Sequence, residues 1–113
     1  MKIINQTNKI TLTDDACEAK SFSDRTLGLL KPTKPRSLLL HTRFGIHTFG
    51  MKDIIDVLIL DQHNTVVSHK KNLKPNRIFL WNPKYSTVIE LPSGTLHASH
   101  SKLGDKIEVS RNT

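Results

Sequence analysis

The apolar residues of this chain are gathered into short runs with polar turns between them. The strongest run is Ile54–Leu60, aliphatic at every position except Asp56. It falls far short of the ~20 apolar residues that cross a bilayer. Gly50 precedes it and Asp61-Gln62-His63-Asn64 follows it, a punctuation that predicts a strand. Alternation along a strand places Ile54, Asp56, Leu58 and Leu60 on one face and Ile55, Val57 and Ile59 on the other. Both faces are apolar, which predicts a central strand covered on both sides. Asp56 therefore enters a layer that its neighbours would bury, where a carboxylate is costly unless paired or hydrogen-bonded.

The same patterning predicts a hairpin over residues 2–12 (KII, polar NQTNK, alternating ITLT) and a turn at Thr13-Asp14-Asp15. Further short strands are expected at 16–22, 37–41, 65–69, 78–81, 86–91 and 106–110. Residues 42–51, with Gly45 and Gly50, read as a loop or bulged strand, 70–76 as a basic loop, and 92–105 as irregular. One short helix is expected at about residues 23–31. Ser23 suits its N-cap, Asp24 the positive end of its dipole, and Phe22 and Leu27 have the spacing of a hydrophobic staple. Pro32 stops it. Many short strands and one short helix predict a mainly β fold, a compact antiparallel sandwich or barrel.

Length and composition narrow this little further. A chain of 113 residues, 36% hydrophobic and 24% charged, predicts a single domain spanning 1–113 and an ordinary soluble globule. The N-terminal MKIINQTNKITLTDD has no long apolar segment, so neither leader nor membrane anchor is expected. Cys17 is the sole cysteine, which excludes an internal disulfide and any cysteine-built zinc site. A cytoplasmic monomer or weak oligomer, the monomer favoured, without cofactor or metal is the resulting expectation. The net charge of +7 favours polyanions or anionic ligands as partners.

Several segments, taken in order, resemble the domain of unknown function 192 family, also called uncharacterised protein family 0127. They are Arg25-x-x-Gly28-Leu29-Leu30, HTFGM at 47–51, IDVLILD at 55–61, VIELPSGT at 88–95 and Gly104-Asp105. The match covers about residues 19–109. Two departures stand out: Leu30 where the family usually has Met, and Ile54 where it often has Pro. The resemblance implies a compact, jelly-roll-like β-sandwich with a small helix, and no activity.

Arg25 and Asp56 are the charged residues singled out within these motifs. Arg25, held by the helix, is expected to satisfy the Asp56 carboxylate with its guanidinium. A structural role is preferred to acid–base catalysis, since structural ion pairs perturb pKa values too. His47, Thr48 and Met51 precede the central strand and complete a candidate binding site with Arg25 and Asp56. His47 beside a carboxylate suits proton transfer near neutral pH. No nucleophile motif accompanies it, so a hydrogen-bonded structural histidine is preferred. GIHTFGMK resembles a phosphate loop, but Met51 displaces the Lys and a strand follows in place of a helix. His97 and His100 have a spacing that suits metal on a helical turn, yet read better as solvated loop residues.

Residues 69–85 carry Lys70, Lys71, Lys74, Arg77 and Lys84, no acid, and the interleaved aromatics Phe79, Trp81 and Tyr85. Cations with stacking rings are the pattern of single-strand nucleic-acid grooves. The competing reading is a solvated loop whose aromatics serve the core. Three functions therefore stand in order: a non-catalytic binding or accessory module for an unknown ligand or protein, a nucleic-acid-binding protein using Lys70, Lys71, Lys74, Arg77, Trp81 and Tyr85, and a small enzyme with His47 and Asp56 as acid–base groups. Nucleic-acid binding predicts one cationic face with Trp81 or Tyr85 exposed beside it. An enzyme predicts converging polar groups in a pocket, and an interaction module an exposed apolar patch.

Overall fold

A computed structural model describes residues 1–19 and 37–111. The helix expected at about 23–31, with Ser23, Phe22, Leu27 and Arg25, lies outside these described residues. Among the described residues ten strands run in chain order: β1 (Lys2–Asn5), β2 (Ile10–Thr13), β3 (Ala16–Glu18), β4 (Ser37–His41), β5 (Gly45–His47), β6 (Ile55–Leu60), β7 (Val66–Leu73), β8 (Ile78–Leu80), β9 (Thr87–Pro92) and β10 (Ile107–Ser110). A single helical turn, α1 (Thr95–Ala98), separates the last two.

A five-stranded sheet, ordered β3-β4-β9-β6-β7, forms the middle layer. All six residues of β6 are buried, and their alternation divides two cores. Leu58 and Leu60 join Ile3, Ile89, Leu91, Leu96 and Ile107 on one side of the sheet. Ile55, Val57 and Ile59 join Leu38, Leu40, Ile46, Met51 and Val88 on the other. The first core is roofed by the β10-β1-β2 sheet and α1, the second by the two-stranded β5-β8 ribbon. Each buried aliphatic side chain contributes about 2 kcal/mol, so β6 contributes to both cores at once. The fold is a β-sandwich-like arrangement of strands.

Four expectations change. Ile54 is not in the strand: it is 41% exposed. The 70–76 segment is not all loop, because β7 continues through Lys70, Lys71 and Asn72 to Leu73. Leu73 is buried opposite Ile55, and that apolar anchor draws the charged residues into the strand. Residues 92–105 contain α1, a turn too short to leave a periodic signal; buried Leu96 holds it to the core. Finally, β3 pairs with β4 in parallel, an arrangement that needs a long crossover rather than a hairpin.

A buried polar knot ties the first sheet together. Asn5 donates to the Ser101 hydroxyl (3.1 Å) and the Asp105 carboxylate (2.8 Å), and its carbonyl accepts from the Thr7 and Asn8 amides. Asp105, one half of the Gly104-Asp105 motif, also accepts from the Lys102 amide. Its role is to close the loop between α1 and β10 onto β1.

Candidate functional site

Asp56 is 1% exposed, and the backbone answers it. The Asn72 amide donates to Oδ1 and the Leu96 amide to Oδ2, each at 2.9 Å. The first donor is made available by a bulge: Ile55 pairs with Leu73 and Val57 with Lys70, so Lys71 and Asn72 together face Asp56. Asn72 adopts φ 58°, the left-handed conformation that Asn tolerates at such a site. The second donor is an amide of α1. Asp56 thus joins β6, the β7 bulge and α1. The Ser93 hydroxyl bonds to the Asn72 side chain, fastening the β9–α1 turn to the same bulge. The expected Arg25–Asp56 pair lies outside the described residues.

On the other side of the sheet, Thr48 performs a comparable task. It is fully buried; its hydroxyl donates to the Lys74 carbonyl at 2.7 Å and accepts from the Arg77 amide at 2.9 Å. Its amide and carbonyl bond Arg77 and Asn76. His47 accepts from the Phe49 amide at Nδ1 (3.2 Å) and stacks on the Phe49 ring at 4.8 Å. These contacts clasp the 47–51 segment to the 74–77 turn and present Met51, which is buried in the second core. His47 belongs to the ribbon side of the sheet and Asp56 to the α1 side. The structure therefore does not bring these two acid–base candidates together.

A cavity of about 410 Å³ opens beside that clasp, walled by Met51, Lys52, Asp53, Ile54, Ile55, Pro92 and Ser93. Of the candidates expected to bind, Met51 is in its wall and Thr48 and His47 hold the loop that carries it. Sequence reasoning missed Pro92 and Ser93, although the ELPSG motif contains both. Their relevance follows from a register, Ile55 opposite Pro92, which no local pattern encodes. Glu90, two residues earlier, is fully buried on the ribbon side of the sheet and was likewise passed over.

The basic segment divides. Lys70, Lys74 and Arg77 line one groove of about 320 Å³ with Asn72, Leu73 and Ile78, and Lys71 is not among its walls. Trp81 and Tyr85 are half-buried against the second core, and the Trp81 indole N–H donates to the Tyr85 carbonyl at 2.8 Å. At the other end of the sheet, Arg43, Asp61, His63, Lys84 and Tyr85 border a polar depression of about 380 Å³. There the Thr65 and His63 amides hold the Asp61 carboxyl below its ordinary range. His97, His100 and Cys17 are exposed. Among the described residues no group of three or more His, Cys, Asp or Glu side chains is placed to hold a metal ion. No helix among them is long and apolar enough to cross a membrane.

Comparison with known proteins places this geometry. The UPF0127 protein of Pyrococcus horikoshii is 35% identical over 113 residues, covering 94% of this chain and 96% of the relative. That of Pyrococcus abyssi is 32% identical, covering 94% and 95%. A solved Sinorhizobium meliloti structure, described as a candidate transcription regulator, superposes with a TM-score of 0.76 at 20% identity. It covers 95% of this chain and 89% of that one. A Novosphingobium aromaticivorans protein of unknown function gives 0.75 at 14% identity, covering 96% and 82%. These two establish a shared fold. The family model DUF192, described as an uncharacterized ACR, matches residues 3–109, and the chain belongs to that family.

Proposed function

We propose that this chain is a non-catalytic binding module whose ligand occupies the 410 Å³ cavity. One observation carries the reading: three separate family-like segments meet in its walls, HTFGM through Met51, IDVLILD through Ile55 and ELPSG through Pro92 and Ser93. The volume falls in the range of small-molecule sites. Met51, Ile54, Ile55 and Pro92 offer apolar surface, while Lys52 supplies a cation at an exposed position. Asp53, exposed in the same wall, adds a carboxylate next to it in sequence, so the chemistry suits a compact apolar molecule with a single polar end group, an anionic one being held at Lys52. The Ser93 hydroxyl is engaged by Asn72, and neither His nor Cys lines the cavity. Binding accounts for these walls better than turnover.

The test is methyl NMR of the protein titrated with medium-chain alkyl carboxylates. Saturable shifts at Met51 and Ile55, lost in Ile54→Arg, support the reading. Ile54 is exposed enough for the fold to survive that change. Shifts absent from both methyls, or unaltered by Ile54→Arg, refute it.

A second reading, a polyanion partner, is favoured by the shared groove of Lys70, Lys74 and Arg77. Binding of short single-stranded RNA or DNA across a salt series tests it. Loss at modest salt, whichever of the three cations is replaced, marks bulk charge alone.

A further inference from the structure

The β5-β8 ribbon covers the second core with Ile46 and Phe79 and leaves its opposite face open. Gly45 pairs with Leu80 and His47 with Ile78, so these four residues share the outer face by alternation. Leu80 lies across Gly45: a Cβ built there would stand 2.5 Å from Leu80 Cδ2. Leu80 is 68% exposed, Ile78 60%, Phe44 66% and Phe49, stacked on His47, 50%. A large aromatic side chain carries roughly 150–250 Å², so the two Phe rings alone leave about 200 Å² open. Ile78 and Leu80, side by side on the outer face of β8, add exposed aliphatic surface.

Two further features say what covers it. The first is charge. Residues 41–89, which contain both ribbon strands, hold seven Lys and Arg (43, 52, 70, 71, 74, 77 and 84) against three Asp (53, 56 and 61), of which Asp56 is buried on the α1 side of the sheet and Asp61 borders the depression beside Arg43 and Lys84. Arg43 and Lys84 stand at the Phe44 end, where Arg43 bonds the Pro83 and Lys84 carbonyls. Lys74 and Arg77 stand at the Ile78 end. A second copy would set these cations against their own kind, which complementary interfaces avoid. The second is an open strand edge. The Trp81 amide bonds the Phe44 carbonyl and the Thr48 amide the Arg77 carbonyl. Positions 44, 46 and 48 therefore pair inward with 81, 79 and 77, leaving the backbone groups of Ile78 and Leu80 on the outer edge. Among the described residues no other strand pairs with the ribbon.

We infer that this ribbon docks an extended acidic polypeptide segment, which adds as a strand beside β8 and lays apolar side chains on Phe44, Ile78 and Leu80. Main-chain hydrogen bonds to the open edge supply affinity, alternate side chains supply selectivity, and the cations at both ends favour the acid. The open edge matches a peptide backbone and has no counterpart in a nucleic acid. This surface is separate from the cavity, and its occupant is a macromolecule.

A fluorescein-labelled peptide alternating Glu with Val is the probe, titrated by anisotropy against the full chain. Saturable binding is expected, weakened at least tenfold by Lys in place of Glu, by Ser in place of Val, and by N-methylation of alternate peptide amides. Ile78→Ser with Leu80→Ser, both at exposed positions, should weaken it similarly while the thermal midpoint stays near that of the parent. Ile54→Arg, which blocks the cavity, should leave it unchanged, so failure of one reading does not mimic failure of the other. Equal affinity for the Lys peptide or the N-methylated peptide overturns the proposal. So does displacement of the peptide by single-stranded RNA at lower concentration. Self-association abolished by the Ile78 and Leu80 changes would assign the face to a second copy instead.

Discussion

Replacing Asp56 is the sharpest perturbation the structure suggests. The carboxylate is 1% exposed and accepts from the Asn72 and Leu96 amides at 2.9 Å each. Hydrogen bonds to a charged group contribute about 1.5–3 kcal/mol, and a buried donor left unpaired costs about 1–3 kcal/mol. Asp56→Ala removes both bonds and orphans both donors. The Leu96 amide is buried, whereas the Asn72 amide is partly accessible and regains some hydration. The net loss should fall at about 3–5 kcal/mol, a large share of the 5–15 kcal/mol typical of a domain. Asp56→Asn is more discriminating. Its carbonyl oxygen can serve one amide, but its NH₂ must then face the other N–H, donor against donor. It should lose about 2–4 kcal/mol despite being nearly isosteric.

Urea denaturation measures the loss, and amide hydrogen exchange locates it. In Asp56→Asn the Asn72 and Leu96 amides should lose protection first, since β6, the β7 bulge and α1 are joined through this one side chain. If Asp56→Asn unfolds within about 0.5 kcal/mol of the parent, the scatter of innocuous substitutions, then the carboxylate does not hold the fold. Unchanged protection at Leu96 would be equally damaging.

Two more outcomes follow from particular contacts. A Cβ at Gly45 would stand 2.5 Å from Leu80 Cδ2 and 2.7 Å from the Phe79 carbonyl oxygen. Leu80 can swing aside, but the backbone carbonyl cannot, so Gly45→Ala should cost about 1–3 kcal/mol. Combining it with Leu80→Ala should relieve only part of that loss in a denaturation series, and complete relief would contradict the geometry. Glu18 receives the Arg111 guanidinium at 2.7 Å and lies 3.4 Å from the His41 ring. The hydrogen bond from Arg111 holds its carboxyl below the ordinary 4.5. Because the folded pKa is the lower one, the stabilisation is present above about pH 4.5 and disappears as pH falls through the folded value. Glu18→Gln should therefore be less stable by up to about 1 kcal/mol near neutral pH and converge with the parent in acid. A difference that persists once Glu18 is protonated in the folded protein would exclude the ion pair as its source.

The middle layer was legible because burial on two faces leaves a near-continuous aliphatic run, here bounded by turn residues. Ile55, Val57 and Ile59 against Leu58 and Leu60 divide as the strand period requires. The hairpin at the N-terminus and the turn after Leu60 were legible for similar local reasons. Legibility ended where contact with another element decides the outcome. The β7 bulge exists because Leu73 must meet Ile55 while Val57 meets Lys70, and nothing in Lys-Lys-Asn-Leu announces that register. The turn α1 is too short to stand by its own propensity; it is held by buried Leu96 and by Asp56. For Trp81 and Tyr85 the sequence left stacking platforms and core residues both open, with the core preferred, and their rings pack on the second core. An aromatic beside lysines has the same local signature whether its ring faces the solvent or the interior.

The polar members of the family-like motifs share a property that bears on function. Asp56 accepts from two backbone amides, Thr48 bonds two backbone segments, and Asp105 accepts from Asn5 and the Lys102 amide. Each is buried; Asp56 and Thr48 bond the main chain, and Asp105 one amide and the Asn5 side chain. Catalysis needs groups with unspent hydrogen-bonding capacity aimed at a reacting atom, and these three are committed to joining elements. The apolar members behave differently. Met51, Ile55 and Pro92 arrive from three segments and leave a space between them. This division, polar residues bracing loops and apolar residues walling a cavity, is the one the proposed binding module requires. His47 supports a neighbouring ring: it accepts the Phe49 amide and stacks on Phe49, which steadies the 47–51 segment that carries Met51 into the cavity wall.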